Sequence, residues 1–296
     1  MTDQISSVNN FYSLMKPRVM SLVIFTALVG IVLSPVHIHP FTAFIALLCI
    51  AIGAGASGVL NMWYDADIDK EMKRTVNRPI PLGLIPKSEA LSFGIVLSFG
   101  SVFVMGVLVN WYSAIFLAIT IFFYIVIYTI WLKRRTPQNI VIGGAAGAFP
   151  PVIGWLSASG SLSIEPIILF LIIFMWTPAH FWALALDISD DYKKAGIPMM
   201  PNVVGSKSTR RQILIYAIIT SFVALLPFFV GMASLYYLIP ILLLDFIFIL
   251  LSFKLYYSDA IESQKKLAKK LFIYSIFYLF LIFAILLIES LIKNFI

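Results

Sequence analysis

The chain has 296 residues, of which 61% are hydrophobic and 12% charged, against roughly 25% charged in an ordinary soluble domain. The apolar excess runs along the whole length, which excludes a soluble enzyme and makes the expected fold an all-α polytopic membrane protein. A net charge of +7 would suit nucleic acid only if the basic groups clustered on one accessible face, and the single cysteine, Cys49, leaves no disulfide framework, haem-attachment motif or cysteine zinc site.

A helix needs about 20 apolar residues to cross the hydrocarbon core, and nine segments approach that length. They are 19–36, 41–63, 90–109, 112–132, 140–158, 166–186, 212–232, 235–255 and 271–292. If the connections alternate sides, all of the 21 Lys and Arg residues except Lys293 fall on one side. The positive-inside rule then puts the N-terminus and the even-numbered loops in the cytoplasm and the C-terminus outside. Shifting the count by one helix destroys that pattern. The basic charge is thus explained by topology and anionic lipid, and no nucleic-acid partner is expected. Residues 1–15 contain Asp3 and no arginine, unlike a transit peptide or the basic start of a cleaved signal. The expectation is a single transmembrane domain over 1–296, a nine-helix bundle with its N-terminus in and its C-terminus out, in a bacterial cytoplasmic (inner) membrane.

Half of the 14 acidic residues lie in two short stretches, 65–71 and 187–191, each directly after a span on the cytoplasmic side. Continuing the second helix at 3.6 residues per turn, Asn61, Asp65, Asp69 and Lys73 share one face while Asp67 points away. In the second stretch Asp187 and Asp191 again stand four apart, beside Asp190, Lys193 and Lys194. Like charges at that spacing destabilise a helix by roughly a few tenths of a kcal/mol, so each ladder invites a cation. Magnesium is the natural one, because it takes oxygen ligands and bridges one or two carboxylates to substrate phosphates. Lys73, Arg74, Arg78, Lys193 and Lys194 are then available for phosphate oxygens. Together these residues describe a site for an amphiphilic diphosphate; the plainer alternative is a set of solvated loop charges. Each stretch also runs into a proline-containing segment, Asn77-Arg78-Pro79-Ile80-Pro81 and Gly196-Ile197-Pro198-Met199. This faint internal repeat would set the two sites facing each other on one side.

At these residues the chain resembles the intramembrane prenyltransferases of the UbiA superfamily, through the NxxxDxxxD pattern of Asn61, Asp65 and Asp69. More specific strings resemble the haem-modifying members: Lys16-Pro17-Arg18-Val19-Met20, Asn77-Arg78-Pro79-Ile80-Pro81, Thr136-Pro137-Gln138-Asn139-Ile140 with Gly143-Gly144-Ala145-Ala146-Gly147, and Trp176-Thr177-Pro178-Ala179-His180-Phe181-Trp182. The likeness covers nearly the whole chain. It implies two Asp-rich motifs that bind an isoprenyl diphosphate through magnesium, with Asp65, Asp69, Asp191 and Lys73 as catalytic residues. The implied substrate contacts are Asn61, Arg78, Lys16, Arg18, Asp190, Lys194 and His180, and the magnesium ligands are Asp65, Asp69 and Asp191, with Asp187 a weaker one. Asp187 looks like an addition to the usual second motif, and Ala179 stands where a second proline is common.

The resemblance further implies transfer of farnesyl from farnesyl diphosphate to a vinyl group of haem B, with water adding to give a hydroxyethylfarnesyl side chain. The product would pass to a receiving enzyme or oxidase. Magnesium and lysines would stabilise the departing diphosphate. Rings such as Trp63, Tyr64, Phe123, Tyr124 and Tyr128 would shelter an allylic cation, beside the plainer role of interfacial or lipid-facing packing.

An ionisable group inside a span is a functional candidate. On the resemblance, His180 in the sixth span would serve the haem, as a contact to iron or propionate or by acting on water; a packing histidine is the alternative. His37 and His39 sit in the first outer loop, away from the acids. Asp245, mid-span and more than two turns from Lys254, the one basic residue of its span, is expected to be protonated or hydrogen-bonded between helices. The glycine-rich runs 53–58 and 143–147 read as small-residue surfaces for close helix contact, with room for a flat porphyrin. Two rival functions stay open. One is a related enzyme that prenylates an aromatic acid such as 4-hydroxybenzoate, which the 136–140 and 176–182 strings argue against. The other is a secondary transporter, whose coupling charges would lie near the midplane, where only Asp245 fits.

Overall fold

The computed structural model describes residues 7–295, without the side chains of residues 18, 19, 294 and 295. Asp3 and the side chain of Arg18 therefore lie outside the described residues. Helices follow one another in chain order: α1 (Val8–Leu14), α2 (Pro17–Leu33), α3 (Pro40–Tyr64), α4 (Ala66–Glu71), α5 (Lys87–Leu108), α6 (Trp111–Phe122) continuing into a π-helical segment (Phe123–Leu132), α7 (Asn139–Ala148), α8 (Pro150–Ser159), α9 (Ile164–Asp187), α10 (Ser189–Lys194), α11 (Met200–Val204), α12 (Ser206–Phe229), α13 (Leu235–Tyr256) and α14 (Ile261–Phe295).

Among the described residues, eight helical segments are long and apolar enough to cross a membrane, and Met20–Leu33 is a shorter apolar helix. The expected all-helical, multi-pass fold is what is found, but the first expected span, 19–36, is cut short. Its cause is Pro35, which disfavours helical backbone at the preceding residue; Ser34 accordingly turns to an extended conformation with ψ 138°. The fifth expected span is two helices, α7 and α8, meeting at Phe149 where Pro150 and Pro151 open α8. The ninth begins at Ile261, ten residues before the apolar run. The good helix formers of 262–270 carry the helix out past the apolar window.

Close helix crossings explain several glycines. A Cβ on Gly30 would come within 2.1 Å of the Pro151 carbonyl oxygen, and one on Gly154 within 2.1 Å of that of Ala27. α2 and α8 therefore cross backbone to backbone, which only glycine permits at these two points. On the other side of the molecule α9, α12, α13 and α14 share a core around Trp182, Tyr237, Phe248 and Tyr278. Because lipid is as apolar as these side chains, packing and buried hydrogen bonds hold helices together there. Tyr278 donates to Asp245 Oδ1 at 2.6 Å, Tyr237 to the Ala224 carbonyl at 2.7 Å and Tyr274 to that of Leu244 at 2.7 Å. Asp245 is thus bonded between helices, as expected. At the end of α13 the buried Arg210 guanidinium donates to the Leu255, Tyr256 and Ser258 carbonyls, satisfying acceptors that a helix C-terminus leaves free.

Candidate functional site

α3 ends at Tyr64, yet its hydrogen-bond ladder runs on: Asp65 N–H donates to the Asn61 carbonyl at 2.9 Å and Asp69 N–H to that of Asp65 at 2.8 Å. Asn61, Asp65 and Asp69 therefore line up on one face, and all three are buried. Asp67 lies off that face, 59% exposed and held by both Nη atoms of Arg134 at 2.8 Å. That guanidinium pulls the Asp67 carboxyl down to about 2, and the carboxylate in turn raises the already high Arg134. Lys73 does not continue the row. α4 stops at Glu71, Met72 is extended, and Lys73 is exposed, so its expected place on the acidic face is corrected.

The cations that meet the acids come from elsewhere. Lys16 Nζ donates to Asn61 Oδ1 at 2.8 Å, and Asn61 Nδ2 donates to Asp65 Oδ2 at 2.8 Å and to Thr129 Oγ1 at 3.2 Å. Lys133 makes a short hydrogen bond to Asp65 Oδ2. Arg78 holds Asp69 Oδ2 at 2.7 Å. Lys133, Arg134 and Thr129 did not emerge from sequence periodicity, because the π-helical segment changes the phase there. Thr129 Oγ1 donates to the carbonyl of Tyr124 at 2.8 Å and Lys133 N–H to that of Tyr128 at 2.9 Å, each five residues back. A wide turn of this kind recurs at functional sites. The only signal in the sequence was the basic triplet 133–135 at the end of a span.

Lys16 is also the one residue other than glycine with positive φ among the described residues, at φ 55°. Such backbone is strained and persists where its surroundings fix it. Burial, then the neighbouring Arg78 and Lys133, push its ammonium down to about 7. Three cations crowd around two carboxylates, so the site is short of negative charge and suited to an anion.

This polar group, Asp65 excepted, lines one end of a cavity of about 830 Å³ whose walls come from α2, α3, α6, the π-helical segment, α7, α8, α9 and α14. Asn61, Asp69, Lys16, Arg74, Arg78, Lys133 and Asn139 line one end, and Ile50, Leu117, Ile121, Ile153 and Phe280 the apolar remainder. Tyr124 and Tyr128 also face it, with ring centroids 5.4 Å apart. Trp63, Tyr64 and Phe123 are not among its lining residues; Tyr64 instead lies 4.9 Å under the Arg134 guanidinium. The glycine-rich runs are packed against neighbours at Gly53, Gly143 and Gly144, while a Cβ at Gly147 would meet nothing within 4 Å. His180 lines the apolar wall. His37 is exposed, and His39 caps α3 by accepting from Phe41 N–H at 3.2 Å; neither lines the cavity.

The second acidic stretch is not a continuous ladder. α9 ends at Asp187 and Ile188 breaks the helix at φ −114° and ψ 31°, so Asp187 and Asp191 sit on separate elements. Asp187 and Asp191 are half-buried, Asp190 and Lys194 exposed. It is Tyr192 and Ile197 of this region that line the cavity.

No group of three or more His, Cys, Asp or Glu side chains among the described residues is placed to hold a metal. Magnesium is compatible with that, since it uses one or two carboxylates and takes other oxygens from phosphates and water. Asp65 Oδ1 is the observation that fits it: buried, accepting no hydrogen bond, with Arg134 at 3.6 Å. A buried carboxylate oxygen without a donor has a lone pair to give to a cation.

A multi-pass membrane protein with paired acids and cations at one end of an apolar cavity is the class that fold and site define. Residues 23–286 match the UbiA prenyltransferase family, and the chain belongs to it. It is 59% identical over 292 residues to a protein of Bartonella bacilliformis named protoheme IX farnesyltransferase, covering 99% of this chain and 94% of that one. To a protein of the same name from Parvibaculum lavamentivorans it is 62% identical over 284 residues, covering 96% and 89%. Among solved structures, a digeranylgeranylglyceryl phosphate synthase superposes with a TM-score of 0.79 at 18% identity, covering 96% and 98%. A UbiA homologue from Archaeoglobus fulgidus bound to GPP and Mg2+ superposes at 0.63 and 19% identity, covering 94% and 99%. These two show the fold.

Proposed function

We propose that this chain transfers farnesyl from farnesyl diphosphate to a vinyl group of haem B (protohaem IX), with water addition, giving haem O and diphosphate. The observation that carries the acceptor is the likeness, at 59% and 62% identity over almost the whole chain, to relatives bearing that name. The cation-rich end of the cavity supports the donor half.

Lys16, Arg78 and Lys133 hold the diphosphate oxygens and offset the charge that grows as the allylic C–O bond breaks. Asp65 and Asp69, with Asp191 and secondarily Asp187 of the second motif, are the residues that would hold magnesium, which when bound neutralises further diphosphate charge, and Asp190 is a proposed substrate contact beside them. Asn61 fixes Asp65 and Lys16 at once. Tyr124 and Tyr128, both lining the cavity, would shelter the allylic cation. The vinyl π bond forms the new C–C bond to that carbon, and the cation left on the side chain takes the oxygen of water, releasing a proton. Arg18 and Lys194 remain proposed contacts to the donor.

The setting is one domain over 1–296 with nine spans, α2 included, in the cytoplasmic membrane of a bacterium. The N-terminus and the acid sites face the cytoplasm, because all 21 basic residues except Lys293 then lie inside. Haem O would leave to an enzyme or oxidase that uses it. The test is acceptor competition. Purified protein is given labelled farnesyl diphosphate, magnesium and an equimolar mixture of haem B and 4-hydroxybenzoate. Label in the haem fraction supports the reading, and label in the benzoate fraction overturns it.

A further inference from the structure

His180 is 8% exposed and its imidazole has three of its approaches closed. Trp176 stacks on one face at a centroid distance of 4.1 Å and 18°, and Phe272 of α14 stacks at 4.6 Å and 24°. On the Nδ1 edge stands Ser275 Oγ at 2.7 Å. The Ser275 hydroxyl has one hydrogen, and the Phe272 carbonyl at 2.7 Å takes it. Its oxygen is then the acceptor, so Nδ1 carries the imidazole proton and Nε2 keeps a lone pair. Trp176 Nε1 donates to the Ser275 carbonyl at 2.8 Å, locking α9 and α14 together at this point. Phe181 meets the ring edge-to-face at 5.2 Å and 85°; both rings line the cavity, and Nε2 is the imidazole nitrogen that makes no hydrogen bond among the described residues.

A neutral histidine whose other nitrogen is tied to a hydrogen-bond acceptor is the form in which imidazole binds metals; the second partner sets the tautomer and raises donor strength. We propose that His180 is the axial ligand to the iron of the haem acceptor, and that Ser275 is a positioning residue that presents its Nε2. The inference rests on haem being the acceptor. It assigns the apolar wall of α9 and α14 to the porphyrin, as the polar end is assigned to the diphosphate. No bond is made or broken in the chain; iron gains one nitrogen ligand, and the His180 proton stays on Nδ1.

The test uses the full-length protein in detergent, titrated with ferric haem B, then reduced and read by absorbance and by the iron–histidine stretch in resonance Raman. The wild type is expected to show the iron–histidine stretch. His180→Ala is expected to lose it, to bind haem roughly 10- to 100-fold more weakly, and to recover nitrogen ligation when free imidazole is added. Ser275→Ala is expected to lower the stretching frequency, and Ser275→Thr to restore it. Metal-free protoporphyrin IX is the control and is expected to bind wild type and His180→Ala alike. Magnesium-dependent binding of a farnesyl diphosphate analogue by His180→Ala reports that the bundle is folded. A His180→Ala protein that keeps the iron–histidine stretch overturns the ligand assignment, and so does one that loses turnover alone. An unshifted stretch in Ser275→Ala overturns the positioning role. A wild type that binds neither haem nor protoporphyrin IX overturns the acceptor reading, and this inference with it.

Discussion

Lys133 and Asp65, 68 residues apart in the chain, share a partly buried hydrogen bond that ties the end of the π-helical segment to the end of α3. The Asp65 side chain is 1% exposed and that of Lys133 16%, so neither charge is well solvated. Removing Lys133 leaves Asp65 with the Asn61 amide and the more distant Arg134, so the loss is that of one hydrogen bond between charged groups, about 1.5–3 kcal/mol. Lys133→Ala is therefore expected to lower the thermal midpoint of the detergent-solubilised protein and to remove most turnover. Lys73→Ala, on an exposed residue off the acidic face, is expected to leave stability unchanged. Thermal unfolding of the two variants side by side decides between Lys133 and Lys73 as the partner of the acids.

The acidic face makes a second contrast. Asp65→Ala and Asp69→Ala are expected to reduce turnover by roughly 100-fold or more, the scale of losing a group that stabilises developing charge. Asp191→Ala is expected to follow them. Asp67→Ala removes only an exposed pair with Arg134, worth about 0–1 kcal/mol, and is expected to keep turnover within about tenfold. Equal losses at Asp65 and Asp67 in a steady-state assay would show that the face is misassigned.

The acids and their spacing were legible because a helix repeats every 3.6 residues and α3 keeps its ladder through Asp69. The same reasoning failed four residues later at Lys73, where Met72 leaves the helix, and it failed at Asp187 and Asp191, where Ile188 does. Periodicity assumes an unbroken helix, and functional ends of helices are where the chain departs from one. Lys133 was invisible for a related reason: a π turn shifts the phase, and no residue pattern in 123–132 announces it. The proline break in 140–158 could be read from Pro150-Pro151, whereas the long start of α14 could not be read from hydropathy, since its first residues are charged. His180 was found by its depth in a span, but its partner Ser275 lies 95 residues away and only packing brings the two together.

Lys16 gives a pH dependence with two signs. Its ammonium titrates near 7 in the free protein, far below its ordinary value. As pH rises through 7 the free site loses a positive charge, so binding of a farnesyl diphosphate analogue is expected to weaken from about pH 7 to pH 9. Folding stability moves the other way. Between about 7 and the ordinary lysine value the unfolded chain holds the extra proton, so the Lys16 contribution to stability rises with pH. Lys16→Arg, which stays charged throughout, is expected to flatten the binding profile. A wild-type profile that is flat over this range, measured by analogue displacement, contradicts the role of Lys16.

Topology is open to a direct check. With the acid sites cytoplasmic, reporter fusions after residue 135 and after residue 195 are expected to report the inside, and a fusion after residue 110 the outside. An external reporter after residue 135 would invert the molecule and separate the acids from cytoplasmic diphosphate.

The most direct measurement is the mass of the porphyrin recovered after purified protein is incubated with haem B, farnesyl diphosphate and magnesium. The predicted product is haem B carrying one farnesyl group and one added hydroxyl, formed with stoichiometric diphosphate and lost in Asp65→Ala. Haem B recovered unchanged by a protein that still binds farnesyl diphosphate, with the farnesyl group found on an aromatic acid instead, would contradict it.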